Sequence, residues 1–293
     1  MSAKIINGNK IANKILTNLQ LALSAVEGSR PKLAVIFVGT NKPSQTYINK
    51  KRLACKKVGI NFQLYKFPTK ITERQLLTEL AKIQTDPHLT GLIVQLPIPK
   101  HLHTQTILDA VQPKFDVDCL NSSYLKNLED LDNLANLEDL ALPPTPAAIL
   151  EILRTPKVDL KNKKIIIIGQ GRLVGKPLVA ILHAIKIKPI ACDKYTKDIP
   201  TKCRQADIVI TATGQKDLIR GNMIKPGAIV IDAGVSFVNK KMFGDINFAE
   251  VKKIASAVTP TPGGVGPITV AMLLKNVYET NHHHTHLQRI QKH

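Results

Sequence analysis

Tyr47 and Lys51 stand four residues apart in a stretch reading SxxYxxxK from Ser44 to Lys51. Gly39 to Ser44 closes a strand and opens a helix there, so the phenol and the amine share one helical face. On that spacing alone such a pair is usually an exposed surface couple and only seldom catalytic. A lysine amine acts as a base near neutrality only if its pKa falls, and the adjacent Lys50 and Arg52, partial burial and a helix N-terminal position would all lower it. Gln95, in Val94-Gln95-Leu96-Pro97, falls at a strand tip where its amide can accept a hydrogen bond from Lys51.

A second set of residues suits phosphate. Lys163 to Ile168 is a β-branched strand, followed by Gly169-Gln170-Gly171-Arg172 and by Gly175-Lys176-Pro177 at a helix start. Glycines let a pyrophosphate approach backbone N–H groups, and a helix N-terminus stabilises its charge. Asp193 follows the next strand, 22 residues after Gly171, where a carboxylate accepts from ribose hydroxyls and repels a 2′-phosphate, which favours NAD. Arg172 and Lys194 lie near the same corner and offer positive charge, which favours NADP. Asp207, Thr213-Gly214, Gly227 and Asp232 to Val235 are expected at later strand ends lining the cleft. Finally, Thr259 to Thr269 reads TPTPGGVGPIT, with three prolines and three glycines, ahead of the apolar run Val270 to Leu274. Such a loop is a rigid ribbon whose N–H groups can face a ligand at a helix start.

These motifs together resemble the bifunctional methylenetetrahydrofolate dehydrogenase/methenyltetrahydrofolate cyclohydrolase family, over about residues 5 to 280. The PGGVGPxT loop, SxxYxxxK with Gly39 and Gly59-Ile60, Val94 to Pro97 and Asp118 carry the resemblance. It implies hydride transfer from 5,10-methylenetetrahydrofolate to a nicotinamide, then hydrolysis of the methenyl cation to 10-formyltetrahydrofolate, within one-carbon metabolism and purine biosynthesis and with no metal. Lys51 would activate water and return a proton, Gln95 would set its protonation, Tyr47 would contact the folate ring system, and Asp118 would bind the pterin amino groups. Substrate would also meet Val94, Leu96, Pro262, Gly263, Gly264, Val265, Gly266 and Pro267. Gly169, Gln170, Gly171, Arg172, Gly175, Asp193, Lys194, Thr196 and Val235 would hold the dinucleotide. The family expectation for that cofactor is NADP, a cytoplasmic homodimer is implied, and no membrane or nucleic acid is expected as partner. The chain departs from the pattern at Gln170 and Gly171, which stand for an arginine and a serine, at Cys119 for a glycine, at Tyr124 near an asparagine and at Pro144 for a cysteine. A dehydrogenase with weak cyclohydrolase activity and a non-catalytic dinucleotide-binding interaction module are the alternatives.

The elements that must position these groups are legible as short β-branched runs separated by helical spacers: Leu33–Val38, Phe62–Phe67, Leu92–Leu96, Ile165–Ile168, Pro189–Cys192, Ile208–Ala212 and Ala228–Asp232. Continuous apolar strands indicate parallel sheets covered on both faces, hence an α/β class. Two α/β domains are expected with the active-site cleft between them: an N-terminal substrate domain over 1–143, completed by a C-terminal helix over 268–285, and a Rossmann-type doubly wound domain over 144–267. The length of 293 residues fits two cores of ordinary size. A helix is expected over Ala147–Leu153. Asn121 to Pro146 reads as a linker, with NLEDL repeated at 127–131 and 136–140 as an exposed helical turn or docking loop. The tail from Asn281 holds five of the nine histidines and reads as disordered.

The formal charge of +19 would suit nucleic acid, an acidic membrane or an acidic small ligand. Its lysines are scattered through globular segments, Trp is absent and only 4% of residues are aromatic, which leaves few stacking platforms for nucleic acid. No apolar run reaches the roughly 18 residues of a membrane span, and the polar start is unlike a signal peptide. Cys55, Cys119, Cys192 and Cys203 are widely spaced, as expected for reduced thiols rather than a zinc site or a disulfide framework.

Overall fold

The computed structural model describes residues 2–25, 29–129, 141–154, 158–239 and 241–290. In chain order the elements are β1 (Lys4–Ile5), α1 (Gly8–Ser24), β2 (Lys32–Val38), α2 (Lys42–Val58), β3 (Asn61–Phe67), α3 (Glu73–Ile83), β4 (Gly91–Val94), α4 (Thr104–Asp109), α5 (Ser122–Glu129) and α6 (Pro144–Arg154). There follow β5 (Ile165–Ile168), α7 (Gly175–Ala184), β6 (Ile190–Cys192), α8 (Ile199–Gln205), β7 (Ile208–Thr211), β8 (Ile229–Asp232), β9 (Ser236–Val238), β10 (Lys241–Phe243), α9 (Phe248–Val251), β11 (Ala257–Val258) and α10 (Val265–Ile290). The described residues fall into two compact units, one drawn from 13–127, 141–144 and 270–290, the other from 2–12, 128–129 and 145–269.

The first unit holds a parallel three-stranded sheet of order β3-β2-β4. Its central strand β2, Lys-Leu-Ala-Val-Ile-Phe-Val, is buried from Leu33 to Val38. One face packs Ile36, Val38 and Leu92 against Leu76, Leu80 and Ile107 from the helices. Helix α2 starts where Asn41 accepts a hydrogen bond from the Ser44 N–H at 2.9 Å and Pro43 occupies the first turn, both local helix-start signals.

The second unit holds a six-stranded sheet of order β1-β11-β8-β7-β5-β6 whose registered pairs are all parallel. Strand β5, four isoleucines in a row, is buried on both faces, as the uninterrupted apolar run requires. The first twelve residues group with this sheet rather than with the domain expected over 1–143, because Lys4 and Ile5 pair with Ala257 and Val258. The strands β9 and β10 form a small antiparallel hairpin.

All seven expected strands are present within a few residues of their expected ends. The last helix runs on to Ile290, five residues past the expected end at 285 and into the tail read as disordered. No glycine or proline interrupts the chain from Val270 to Ile290, so nothing local ends it. Residues 130–140, with the second NLEDL copy, lie outside the described residues.

Candidate active site

Lys51 and Gln95 meet within the first unit. The Lys51 Nζ donates to Gln95 Oε1 at 3.2 Å. Gln95 sits one residue beyond β4, where its backbone N–H donates to Ile36 O at 2.9 Å and its side-chain Nε2 donates to Leu96 O at 2.8 Å. Its amide oxygen is thereby turned toward the lysine. Burial lowers the pKa of Lys51, opposed by the charge of Asp118 and by the Cys55 thiol. Burial raises the pKa of Asp118, opposed by the charge of Lys51. Desolvation thus outweighs mutual attraction in setting the direction of both shifts. Lys51 lies in the middle of α2, so the helix N-terminus expected to depress its pKa is too far away, and burial does that work.

Tyr47 is half-buried one turn before Lys51, with its pKa raised by burial. The Lys50 Nζ lies 5.5 Å from the centre of the Tyr47 ring. Ser44, 2% exposed, donates through Oγ to Leu96 O at 3.2 Å and ties the start of α2 to the strand tip. Val94 is buried in the hydrophobic core, so its side chain packs the sheet while Leu96 beyond it is partly open.

The loop that carries Asp118 is fastened from several sides. Asp116 Oδ2 accepts from the Leu120 and Asn121 N–H groups at 2.8 and 2.7 Å; burial, with the nearby charge of Asp118, pushes its pKa to about 6. Asn276, 4% exposed on α10, donates to Val117 O at 2.9 Å and Leu142 O at 2.8 Å. Cys119 adopts φ 56°, the left-handed region that a glycine enters without strain. Its thiol donates to Ala141 O at 3.4 Å, and the Tyr124 hydroxyl donates to the same carbonyl. Two of the departures from the family pattern therefore act together, as anchors for this loop. Asn276 escaped the sequence reading although an asparagine within the apolar run of α10 was its visible signal.

In the second unit the turn between β5 and α7 fits a dinucleotide's pyrophosphate. Gly169 has φ 101°, and a Cβ on Gly175 would lie 1.8 Å from Gly169 O, so the turn closes only with glycines. Above Gly171 nothing lies within 4 Å of an added Cβ, leaving the backbone open to approach just ahead of the helix N-terminus. Gln170 folds back, its Nε2 donating to Ile167 O at 3.3 Å. Arg172 and Lys194 are exposed, and the Lys194 Nζ lies 4.8 Å from the centre of the Tyr195 ring. Asp193 caps the turn after β6: its Oδ1 accepts from Tyr195 N–H at 3.0 Å and Thr196 Oγ1 at 2.9 Å, bonds that hold its pKa low. Val235 is 37% exposed just past β8.

Thr213-Gly214 and Ala233 to Val235 do follow β7 and β8, but Asp207 and Gly227 precede these strands and lie at the opposite edge. There Asp207 pairs with Lys225 at 2.7 Å. The loop of Pro262, Gly263, Gly264, Val265, Gly266 and Pro267 leads into α10, which begins at Val265. The carbonyl of Gly263 accepts from Gly8 N–H at 2.8 Å, and Gly266 leaves open space where a side chain would stand. A ligand can thus meet bare backbone at this helix start.

The chain matches two family models: residues 6–118 match the catalytic domain of tetrahydrofolate dehydrogenase/cyclohydrolase, and residues 143–285 its NAD(P)-binding domain. It is 42% identical over 276 residues to the bifunctional protein FolD of Nautilia profundicola, covering 93% of this chain and 95% of that one. Among solved structures, FolD of Campylobacter jejuni superposes with a TM-score of 0.88 at 35% identity, over 96% of this chain and 100% of that one. The Trypanosoma brucei enzyme, complexed with NADP and an inhibitor, gives a TM-score of 0.89 at 32% identity, over 96% of this chain and 97% of that one. By its folds, by these matches and by the residues gathered around Lys51, the chain belongs to the tetrahydrofolate dehydrogenase/cyclohydrolase family.

Proposed function

We propose that the protein oxidises 5,10-methylenetetrahydrofolate to 5,10-methenyltetrahydrofolate with NADP+ and hydrolyses that product to 10-formyltetrahydrofolate. The observation that carries this reading is the Lys51 amine, held at 3.2 Å by Gln95 and coupled to Asp118, with its pKa lowered by burial. Burial disfavours the ammonium form, which makes the amine a readier proton acceptor than an exposed lysine. Bound dinucleotide supplies the hydride acceptor for the first step. Asp118 accepts from the pterin amino groups and, with Tyr47 against the ring system, aligns the methylene carbon.

In the second step Lys51 takes a proton from water as its oxygen bonds to the methenyl carbon. The carbon–nitrogen bond then breaks as the added hydroxyl loses its proton to solvent and becomes the formyl C=O, while Lys51 returns its proton to the departing nitrogen. Gln95 Oε1 holds Nζ in place throughout. The bare backbone at Gly266 is open to a ligand, and Gly169, Gly171, Gly175 and Val235 receive the dinucleotide. Purified protein supplied with 5,10-methenyltetrahydrofolate should accelerate its hydrolysis above the buffer rate; a rate equal to buffer would remove the cyclohydrolase half.

A second reading of the cofactor rests on two side chains. Gln170 is turned onto the strand backbone, and the Asp193 carboxylate stays ionised at the ribose corner, so NAD+ would meet less repulsion than NADP+. Rates with each dinucleotide decide between them. The protein is further read as a cytoplasmic homodimer that supplies formyl groups for purine synthesis. Among the described residues no helix is long and apolar enough to cross a membrane, and sedimentation of the purified protein tests the dimer.

A further inference from the structure

Two carboxylates that the chemistry above does not use lie within the NAD(P)-binding unit, Asp232 with 2% of its surface exposed and Asp245 with none. Around Asp232 Oδ1 converge the Thr211 hydroxyl at 3.2 Å, the Gly234 N–H at 3.0 Å and the Asp245 N–H at 3.0 Å, while Oδ2 accepts from Ile246 N–H at 3.3 Å. Asp245 reaches the next strand end: its Oδ2 accepts from Thr213 N–H at 2.6 Å and its Oδ1 from Gln215 N–H at 2.9 Å. Every partner is a donor, a demand only an acceptor with two oxygens satisfies. The contacts are also sterically closed. A Cβ on Gly234 would lie 2.0 Å from the Asp245 carboxyl, and one on Gly244 would lie 1.8 Å from Asp232 Oδ2.

The segments so tied are the ends of β7 and β8, Thr213 to Gln215 and Gly234-Val235. In a parallel sheet of this kind these carboxyl-terminal strand ends form the dinucleotide crevice. Val235 O also lies 3.4 Å from where a Cβ on Gly214 would stand, so the two segments pack directly on one another. Burying two carboxylates is unfavourable unless their donors recover the lost hydration, and here three of the six recovered bonds come from these loops, at Thr213, Gln215 and Gly234.

We propose that Asp232 and Asp245 are positioning residues for dinucleotide binding: a buried carboxylate pair that locks the strand-end loops 213–215 and 234–235 into the shape the cofactor requires. This rests on the dehydrogenase reading above. Neither carboxylate is among the groups assigned above to hydrolysis.

The test compares wild type, Asp245→Asn and Thr211→Val in two assays: calorimetric titration with NADP+ and NAD+, and hydrolysis of supplied 5,10-methenyltetrahydrofolate, which needs no dinucleotide. Asp245→Asn keeps the shape but sets an amide donor against a backbone donor. It should raise the dinucleotide Kd about 10- to 100-fold, in line with about 1–3 kcal/mol for an unsatisfied buried polar group, with hydrolysis within twofold of wild type. Thr211→Val removes one hydroxyl donor and no volume. It should fold as wild type does and raise Kd about two- to fivefold. Unchanged Kd in both variants overturns the proposal, as does an equal fall in binding and hydrolysis in Thr211→Val. A wild type that binds neither dinucleotide overturns the dehydrogenase reading and this proposal with it.

Discussion

Lys51→Met removes the amine while keeping the length and apolar stem of the side chain. General acid–base catalysis by a placed group contributes about 10²- to 10⁴-fold, so hydrolysis should fall by that factor, about 3–5 kcal/mol in the barrier. The fold should survive. Gln95 Oε1 loses its donor, but Gln95 is only half-buried and water can replace it. Removing a desolvated amine offsets the remainder, leaving net stability within about 1 kcal/mol of wild type. Asp118 changes as well: the Lys51 charge is what opposes its burial, so its pKa rises further and folate binding weakens earlier as pH falls. The assay follows decay of supplied 5,10-methenyltetrahydrofolate across pH, with thermal melting and NADP+ titration as controls for the fold. Hydrolysis at the wild-type rate, in a variant that melts and binds dinucleotide normally, would refute the role given to Lys51.

Asp193→Asn keeps the Oδ1 acceptor that caps the turn and removes a negative charge from the ribose corner. The ratio of kcat/KM for NADP+ over NAD+ should rise about 5- to 10-fold; an unchanged ratio would show that Asp193 is only a turn residue. Asn276→Leu leaves the Val117 and Leu142 carbonyls without their donor and should lower stability by about 2–4 kcal/mol in denaturant titration, together with a raised KM for folate; loss of stability alone would separate the anchor from the site. Asp232 provides a pH test. Its pKa is raised by burial from 3.8 to about 6, so its contribution to stability is fully present below about pH 4 and is lost as pH rises through about 6. That loss amounts to about 3 kcal/mol. Asp232→Asn should therefore gain stability relative to wild type between pH 4 and 7, and a difference that does not vary with pH would contradict the raised pKa.

Apolar runs of four residues or more, such as Ile165 to Ile168 and Leu33 to Val38, declared their strands because burial on both faces needs an unbroken run. Lys4–Ile5 and Ala257–Val258 were silent: two residues carry no periodicity, and only the parallel pairing between them makes each a strand. Tyr47, Lys51 and Gln95 were legible from spacing plus family resemblance, and the Lys51–Gln95 bond is as expected. The cause of the lysine's lowered pKa was not, because burial of a mid-helix residue is set by chains far away in sequence. Asp207 and Gly227 were misassigned to the crevice for a related reason, since polar and glycine residues mark both ends of a strand and only chain direction tells which edge they reach. The linking bonds from Asn276 to Val117 and from Asp245 to Thr213 span long stretches of sequence, and no local pattern encodes them.

The central claim, that this chain couples folate oxidation to hydrolysis, is tested most directly by giving the purified protein 5,10-methylenetetrahydrofolate with NADP+ or NAD+ and following 5,10-methenyltetrahydrofolate and 10-formyltetrahydrofolate over time. Dinucleotide reduction with the formyl product accumulating through a small methenyl pool is the predicted result. No reduction of either dinucleotide, by protein that binds both, would contradict it.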